Sequence, residues 1–141
     1  MITGTDIAAH MNKRYGSFVK YWLPVLGYGL ILFYLASKPG PDYLPKFHYA
    51  DKAFHFGAFI ILGILFFRAF GSLNHGMTPW GVVVLSLVSS AIFGACIEVN
   101  QLFLPYRQAE VWDLAADILG SFFGIMAVFV TRLTKRGAGA D

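Results

Sequence analysis

The sequence predicts an all-α polytopic membrane protein, an antiparallel bundle of four transmembrane helices, on three observations. Of its 141 residues, 57% are hydrophobic and 13% are charged, where soluble domains carry roughly 25% charged residues, so the polar surface a water-soluble fold needs is missing. The apolar residues gather into four runs, each near the roughly 20 residues that cross a hydrocarbon core as helix. Basic flanks precede the first run and follow the last, and an even number of crossings returns both to the same side of the bilayer. A membrane barrel would alternate polar and apolar positions, whereas residues such as Ile60 to Phe67 are apolar without interruption. The net charge is +3, and the lysines and arginines lie in flanks of the apolar runs rather than in a stripe, which speaks for membrane topology and against a nucleic-acid partner. Cys96 is the single cysteine, so no intrachain disulfide forms.

Residues 1–17 form a polar N-terminal segment on the cytoplasmic side, with Lys13, Arg14 and Lys20 as its basic flank. The first span runs from about 18 to 36, with Tyr21 and Trp22 at its start, where amphipathic rings favour the interface. Pro24 falls in its first turns, where a missing N–H is tolerated, and Gly27 and Gly29 would allow a neighbour to come close. A cleaved signal peptide ending near Ala36 and Ser37 competes with an uncleaved span. The core is long and aromatic for a signal, and an uncleaved first span is expected. Pro39, Gly40, Pro41 and Pro45 then mark a loop.

The second span covers about 51 to 68 and ends at Arg68, followed by a short link with Gly71, Asn74, Gly76 and Pro79. The third covers about 80 to 103. Ser86, Ser90 and Gly94 recur every four residues along it and define one small-residue face, with Glu98 as the next member of the series. A loop from Pro105 to Val111 carries Arg107 and Glu110. The fourth span runs from about 112 to 131, and Ala116, Gly120 and Gly124 repeat the small spacing. Residues 133–141 are expected to be a disordered cytoplasmic tail with Lys135 and Arg136.

This topology brings the ionisable groups to one depth. Asp51 opens the second span and His55 lies one turn deeper on the same face; Asp113 and Asp117 do the same on the fourth span. Glu98 and Gln101 end the third span. Such groups are expensive against lipid, so they are expected to face inward or toward an aqueous vestibule and to neutralise one another. Arg107 and His55 are the expected cationic partners. Asp51, Glu98, Asp113 and Asp117 outnumber Arg107, Lys52 and His55, so shared protons or a bound cation would complete the balance. The predicted site is an outward-facing polar pocket of Asp51, His55, Glu98, Gln101, Arg107, Asp113 and Asp117, built from helices two, three and four and the last loop. Phe103, Tyr106 and Trp112 are expected to form its rim.

The order and spacing of Asp51-Lys52, His55-Phe56, Glu98, Gln101, Pro105, Arg107, Asp113 and Gly120 resemble the VanZ-like family of small polytopic membrane proteins, named for a teicoplanin-resistance accessory protein. The resemblance covers about Asp51 to Gly124. It implies an integral membrane protein of the cell envelope, in some members linked to lipoglycopeptide resistance, with no established reaction. The family pattern often has Asn at the place of Asp117 and a small hydroxyl residue at that of Glu110, so this chain carries extra negative charge.

Several functions fit these residues. One is binding of a lipid head group, cell-wall precursor or glycopeptide-type ligand, with Arg107 gripping phosphate or carboxylate. An intramembrane enzyme on a lipid-linked phosphate would use Glu98 and His55 as catalytic groups, although no serine or cysteine stands by as nucleophile. A structural network fixing helix register would need no ligand. A metal variant takes Asp51, His55 and Glu98 or Asp113 as ligands, with manganese, magnesium or calcium favoured over zinc, but a single histidine does not predict a cofactor. His10, His48 and His75 lie outside the cluster. The chain is placed in the cytoplasmic membrane with both termini inside. Small-residue stripes left over after bundle packing would support a homo-oligomer.

Overall fold

The computed structural model describes residues 4–39, 50–73 and 76–137. His48, His75, Pro41 and Pro45 lie outside the described residues, as do the His10 side chain and the last four residues of the tail. The chain forms α1 (Gly4–Ala36), α2 (Ala50–Ser72), α3 (Pro79–Gln101) and α4 (Val111–Gly137). Each contains a stretch long and apolar enough to cross a membrane: Tyr15–Ala36, Ala50–Ser72, Pro79–Gln101 and Val111–Lys135.

The boundaries differ from the sequence expectation for local reasons. α1 is continuous from Gly4, so Pro24 lies deep inside the helix rather than in its first turns, leaving the carbonyl one turn earlier without its usual N–H. α2 runs past Arg68 and through Gly71 to Ser72, and Gly76, after it, has φ +108°. At the start of α3, Thr78 Oγ1 accepts from Gly81 N at 3.1 Å and Pro79 occupies the first turn, a combination that satisfies one of the orphan donors of a helix start. α3 ends at Gln101, two residues short of the expected 103. α4 continues to Gly137, so residues 133–137 are helical instead of disordered.

The helices alternate in direction. Near one end of the bundle Trp22 of α1 packs edge-on against Phe70 of α2, with ring centroids 5.1 Å apart, and Trp80 of α3 lies 4.9 Å from Phe129 of α4. The Arg132 guanidinium covers the Phe67 ring at 4.8 Å and Arg68 approaches Tyr21 at 6.0 Å, contacts that keep a cation beside an aromatic face. Phe67, Val82, Val83, Ile125 and Phe129 form the core there. A second core, Phe59, Leu62 and Ile97, joins α1, α2 and α3. Large apolar side chains such as Leu30, Val84, Ile92 and Phe123 remain exposed, as a lipid-facing surface requires.

α2 and α4 start at the same end, run in the same direction and approach most closely. A Cβ on Gly120 or Gly124 would collide with the carbonyls of Phe56 and Ile60, and one on Gly63 would lie 2.7 Å from Ser121 O. Glycine is the residue that permits this backbone contact. The series Ser86, Ser90, Gly94 and Glu98 is buried throughout, as its spacing predicts. Gly29 packs against the Phe93 ring, 3.4 Å from the position of an added Cβ, whereas Gly27 faces open space and supports no close approach.

Candidate functional site

Close contact between α2 and α4 sets the site, because it carries the first turns of both helices into register at one end of the bundle. Lys52 Nζ meets Asp113 Oδ1 at 3.2 Å and Glu110 Oε2 at 2.6 Å; one turn deeper, His55 Nδ1 lies 2.9 Å from Asp117 Oδ1. Asp113 and Asp117 are 1% and 0% exposed. At that depth a carboxylate needs a partner, since removing it from water without one is costly. The expected partner Arg107 is not that group: its Nε donates to Lys38 O at 2.9 Å and its Nη2 to Leu35 O at 3.4 Å. It caps the carbonyls at the end of α1, where a helix favours a cation. Lys52 takes the role assigned to Arg107, because it follows Asp51 on α2 and faces the start of α4.

Glu98 is 9% exposed and accepts the Glu110 N–H through Oε2 at 2.9 Å, which fastens the last loop to α3. The same loop is tied to α1. Asn100 Nδ2 donates to Ser37 Oγ at 2.8 Å, and Tyr106 Oη donates to Ser37 O at 2.9 Å. Phe103 and Trp112 are strongly exposed, and with Tyr106 they stay outside the cavity instead of forming its rim.

The cavity at this end has a volume of about 460 Å³ and lies between α1, α2 and α3. Leu32, Leu35, Phe54, Phe59 and Ile97 supply apolar wall, while Lys38, Asp51, His55, Gln101 and Arg107 supply the polar part. Of the predicted site residues, Asp51, His55, Gln101 and Arg107 line it; Glu98, Asp113 and Asp117 stand behind His55. The contribution of α1 was missed by sequence reasoning, since its lining residues Leu32, Leu35 and Ala36 carry no chemical signal, and the apolar stretch of α1 contains no acidic residue.

For metal ligation the predicted set divides in two. Donor atoms of Asp51, His55 and Asp113 lie within 4.8 Å of one another, and so do those of His55, Glu98 and Asp117. The expected set of Asp51, His55 and Asp113 is thus brought together, whereas Glu98 groups with His55 and Asp117 instead of with Asp51, and Asp117, absent from the predicted metal set, is fully buried. Glu98 Oε1 and Asp117 Oδ2 are buried without a hydrogen-bond partner among the described residues. A Cβ on Gly94 would lie 2.7 Å from Asp117 Oδ2, so the bare α3 backbone is what admits this carboxylate.

No curated protein and no solved structure matches the chain. The model of one protein family, VanZ/LLP1, matches residues 7–132, which extends the resemblance beyond 51–124 to the first helix. With most of its length matched and four helices among the described residues able to cross a membrane, the chain belongs to the VanZ/LLP1 family of membrane proteins.

Proposed function

We propose that the protein binds an amphiphile with an apolar chain and a phosphate-bearing head, the chemistry shared by membrane phospholipids and lipid-linked cell-wall precursors. The observation that carries this reading is the two-part lining of the 460 Å³ cavity, with Leu32, Leu35, Phe54, Phe59 and Ile97 on its walls and Lys38, Arg107, Gln101, His55 and Asp51 at its polar part. Apolar pockets with a few convergent polar groups are the usual form of small-molecule sites. Lys38 and Arg107 offer positive charge to phosphate, and Gln101 offers both a donor and an acceptor. The polar end faces outward from the cytoplasmic membrane in this reading, because Lys20, Arg68, Arg132 and Lys135 mark the other end as cytoplasmic.

Filling the cavity tests the reading. Protein purified in mild detergent, analysed by native mass spectrometry with identification of the extracted lipids, is expected to retain a phosphate-bearing lipid. Ala58→Trp, which projects into the cavity, should lose it, and Ile61→Trp, on the exposed face, should keep it. The identified mass separates phospholipid from cell-wall precursor. Equal retention by both variants contradicts the proposal.

A second reading is supported by the contact of His55 with Asp117: a histidine oriented by a buried carboxylate is the arrangement of a general base. An enzyme of this kind would hydrolyse a lipid-linked phosphate, with His55 taking the proton of the attacking water. Turnover of lipid phosphates or pyrophosphates that is abolished in His55→Gln supports it. Absence of turnover in the wild type contradicts it.

A further inference from the structure

We propose that His55, Glu98 and Asp117 hold a divalent transition-metal cation between α2, α3 and α4. The strongest observation is what the two acids do with their oxygens. Each carboxylate is fixed through one oxygen, Glu98 Oε2 by the Glu110 N–H and Asp117 Oδ1 by His55 Nδ1, both at 2.9 Å. The other oxygen of each, Glu98 Oε1 and Asp117 Oδ2, is buried with no hydrogen-bond partner among the described residues. Side chains 9% and 0% exposed do not leave oxygens unmatched without cost.

The charge balance points the same way. Asp51 and Asp113 also face His55, adding negative charge around it. Lys52 is held by Glu110 and Asp113, and Arg107 donates to the Leu35 and Lys38 carbonyls, so neither cation meets Glu98 Oε1 or Asp117 Oδ2. A dication placed between Glu98 and Asp117 supplies the missing positive charge and both missing contacts at once. Donor atoms of the three residues lie within 4.8 Å of one another, near enough for one ion to be shared among them. One imidazole nitrogen with two carboxylates suits manganese and its first-row neighbours better than calcium, which prefers oxygen alone. The alternative group of Asp51, His55 and Asp113 is less suited, because Lys52 Nζ sits 3.2 Å from Asp113 Oδ1 and repels a cation there.

His55 is shared with the cavity lining, so the test uses Mn²⁺ alone, without added lipid. The full chain, purified in detergent and stripped with chelator, is titrated with Mn²⁺ and followed by electron paramagnetic resonance. One tight site per chain is expected, with nitrogen coupling from a single imidazole in the pulsed spectrum. Glu98→Gln and Asp117→Asn should each weaken binding by at least about 10-fold, and Mn²⁺ should raise the Tm of the wild type but not theirs. Asp51→Asn removes a neighbouring charge but no ligand of this group, and should weaken binding less than either of them. Lack of a tight site or of nitrogen coupling in the wild type overturns the proposal, whatever the folding of the variants. So does binding that is lost in Asp51→Asn and kept in Asp117→Asn, which would move the ion to the other group.

Discussion

His55 Nδ1 and Asp117 Oδ1 are 2.9 Å apart, with side chains 11% and 0% exposed, and this contact joins two helices that run side by side in the same direction. Its surroundings make the pair asymmetric. Asp117 has no second partner among the described residues, while His55 also borders the cavity. Removing His55 therefore leaves a buried carboxylate alone, whereas removing both groups leaves an apolar contact.

The first prediction follows from that asymmetry. His55→Leu should destabilise the protein by about 3–5 kcal/mol, the cost of breaking one side of a buried pair, and His55→Leu with Asp117→Leu should cost less than the single change. Unfolding of the purified variants in detergent measures both values, and the cycle isolates the coupling. A double variant less stable than the single one contradicts the account.

Backbone contact between α2 and α4 gives the second. Gly120→Ala and Gly124→Ala place a methyl group against the Phe56 and Ile60 carbonyls, and each should cost about 1–3 kcal/mol as overpacking. Gly27→Ala, facing open space, should be neutral or slightly stabilising, since alanine is the better helix former. Melting temperatures of the three variants, measured side by side, check the order.

The third concerns Lys52. Its contact with Glu110 is half open to solvent, at 23% and 45% side-chain exposure, so Glu110→Gln should cost under about 1 kcal/mol. Lys52→Met removes the partner of Asp113 as well, whose side chain is 1% exposed, and should be clearly more destabilising. Equal effects of the two substitutions in a denaturation assay would show that the buried contact contributes nothing.

A fourth prediction addresses the loop that holds α1. Arg107→Ala removes donors to Lys38 O and Leu35 O, and Ser37→Ala removes the acceptor of Asn100. Hydrogen exchange should speed up in both variants around residues 33–39 and 102–110, with α4 unchanged. Faster exchange confined to α4 would contradict this.

Much of the polar end was legible because helical periodicity is a local property. Asp51 with His55, Asp113 with Asp117, and Glu98 as the continuation of Ser86, Ser90 and Gly94 all follow from four-residue spacing, and the structure places them together. What was not legible depends on choices between nearby partners. A guanidinium in a loop can meet a carboxylate or the carbonyls of a helix end, and the sequence does not say that Arg107 turns to α1. Nor does it reveal that Leu32, Leu35 and Ala36 wall the cavity, because an apolar residue facing lipid and one facing a pocket have the same composition. The helical run through 133–137 was hidden by its charge, although Lys and Arg are good helix formers at a C-terminal turn.

Labelling from within the cavity tests the central claim most directly. In a Cys96→Ser background, Ala58→Cys puts a single thiol on the cavity wall and Ile61→Cys puts one on the exposed face of the same helix. Added phosphate-bearing lipid should slow maleimide labelling of the first severalfold and leave the second unchanged. Equal rates at both positions, with and without lipid, would contradict a lipid-binding cavity at the polar end of the bundle.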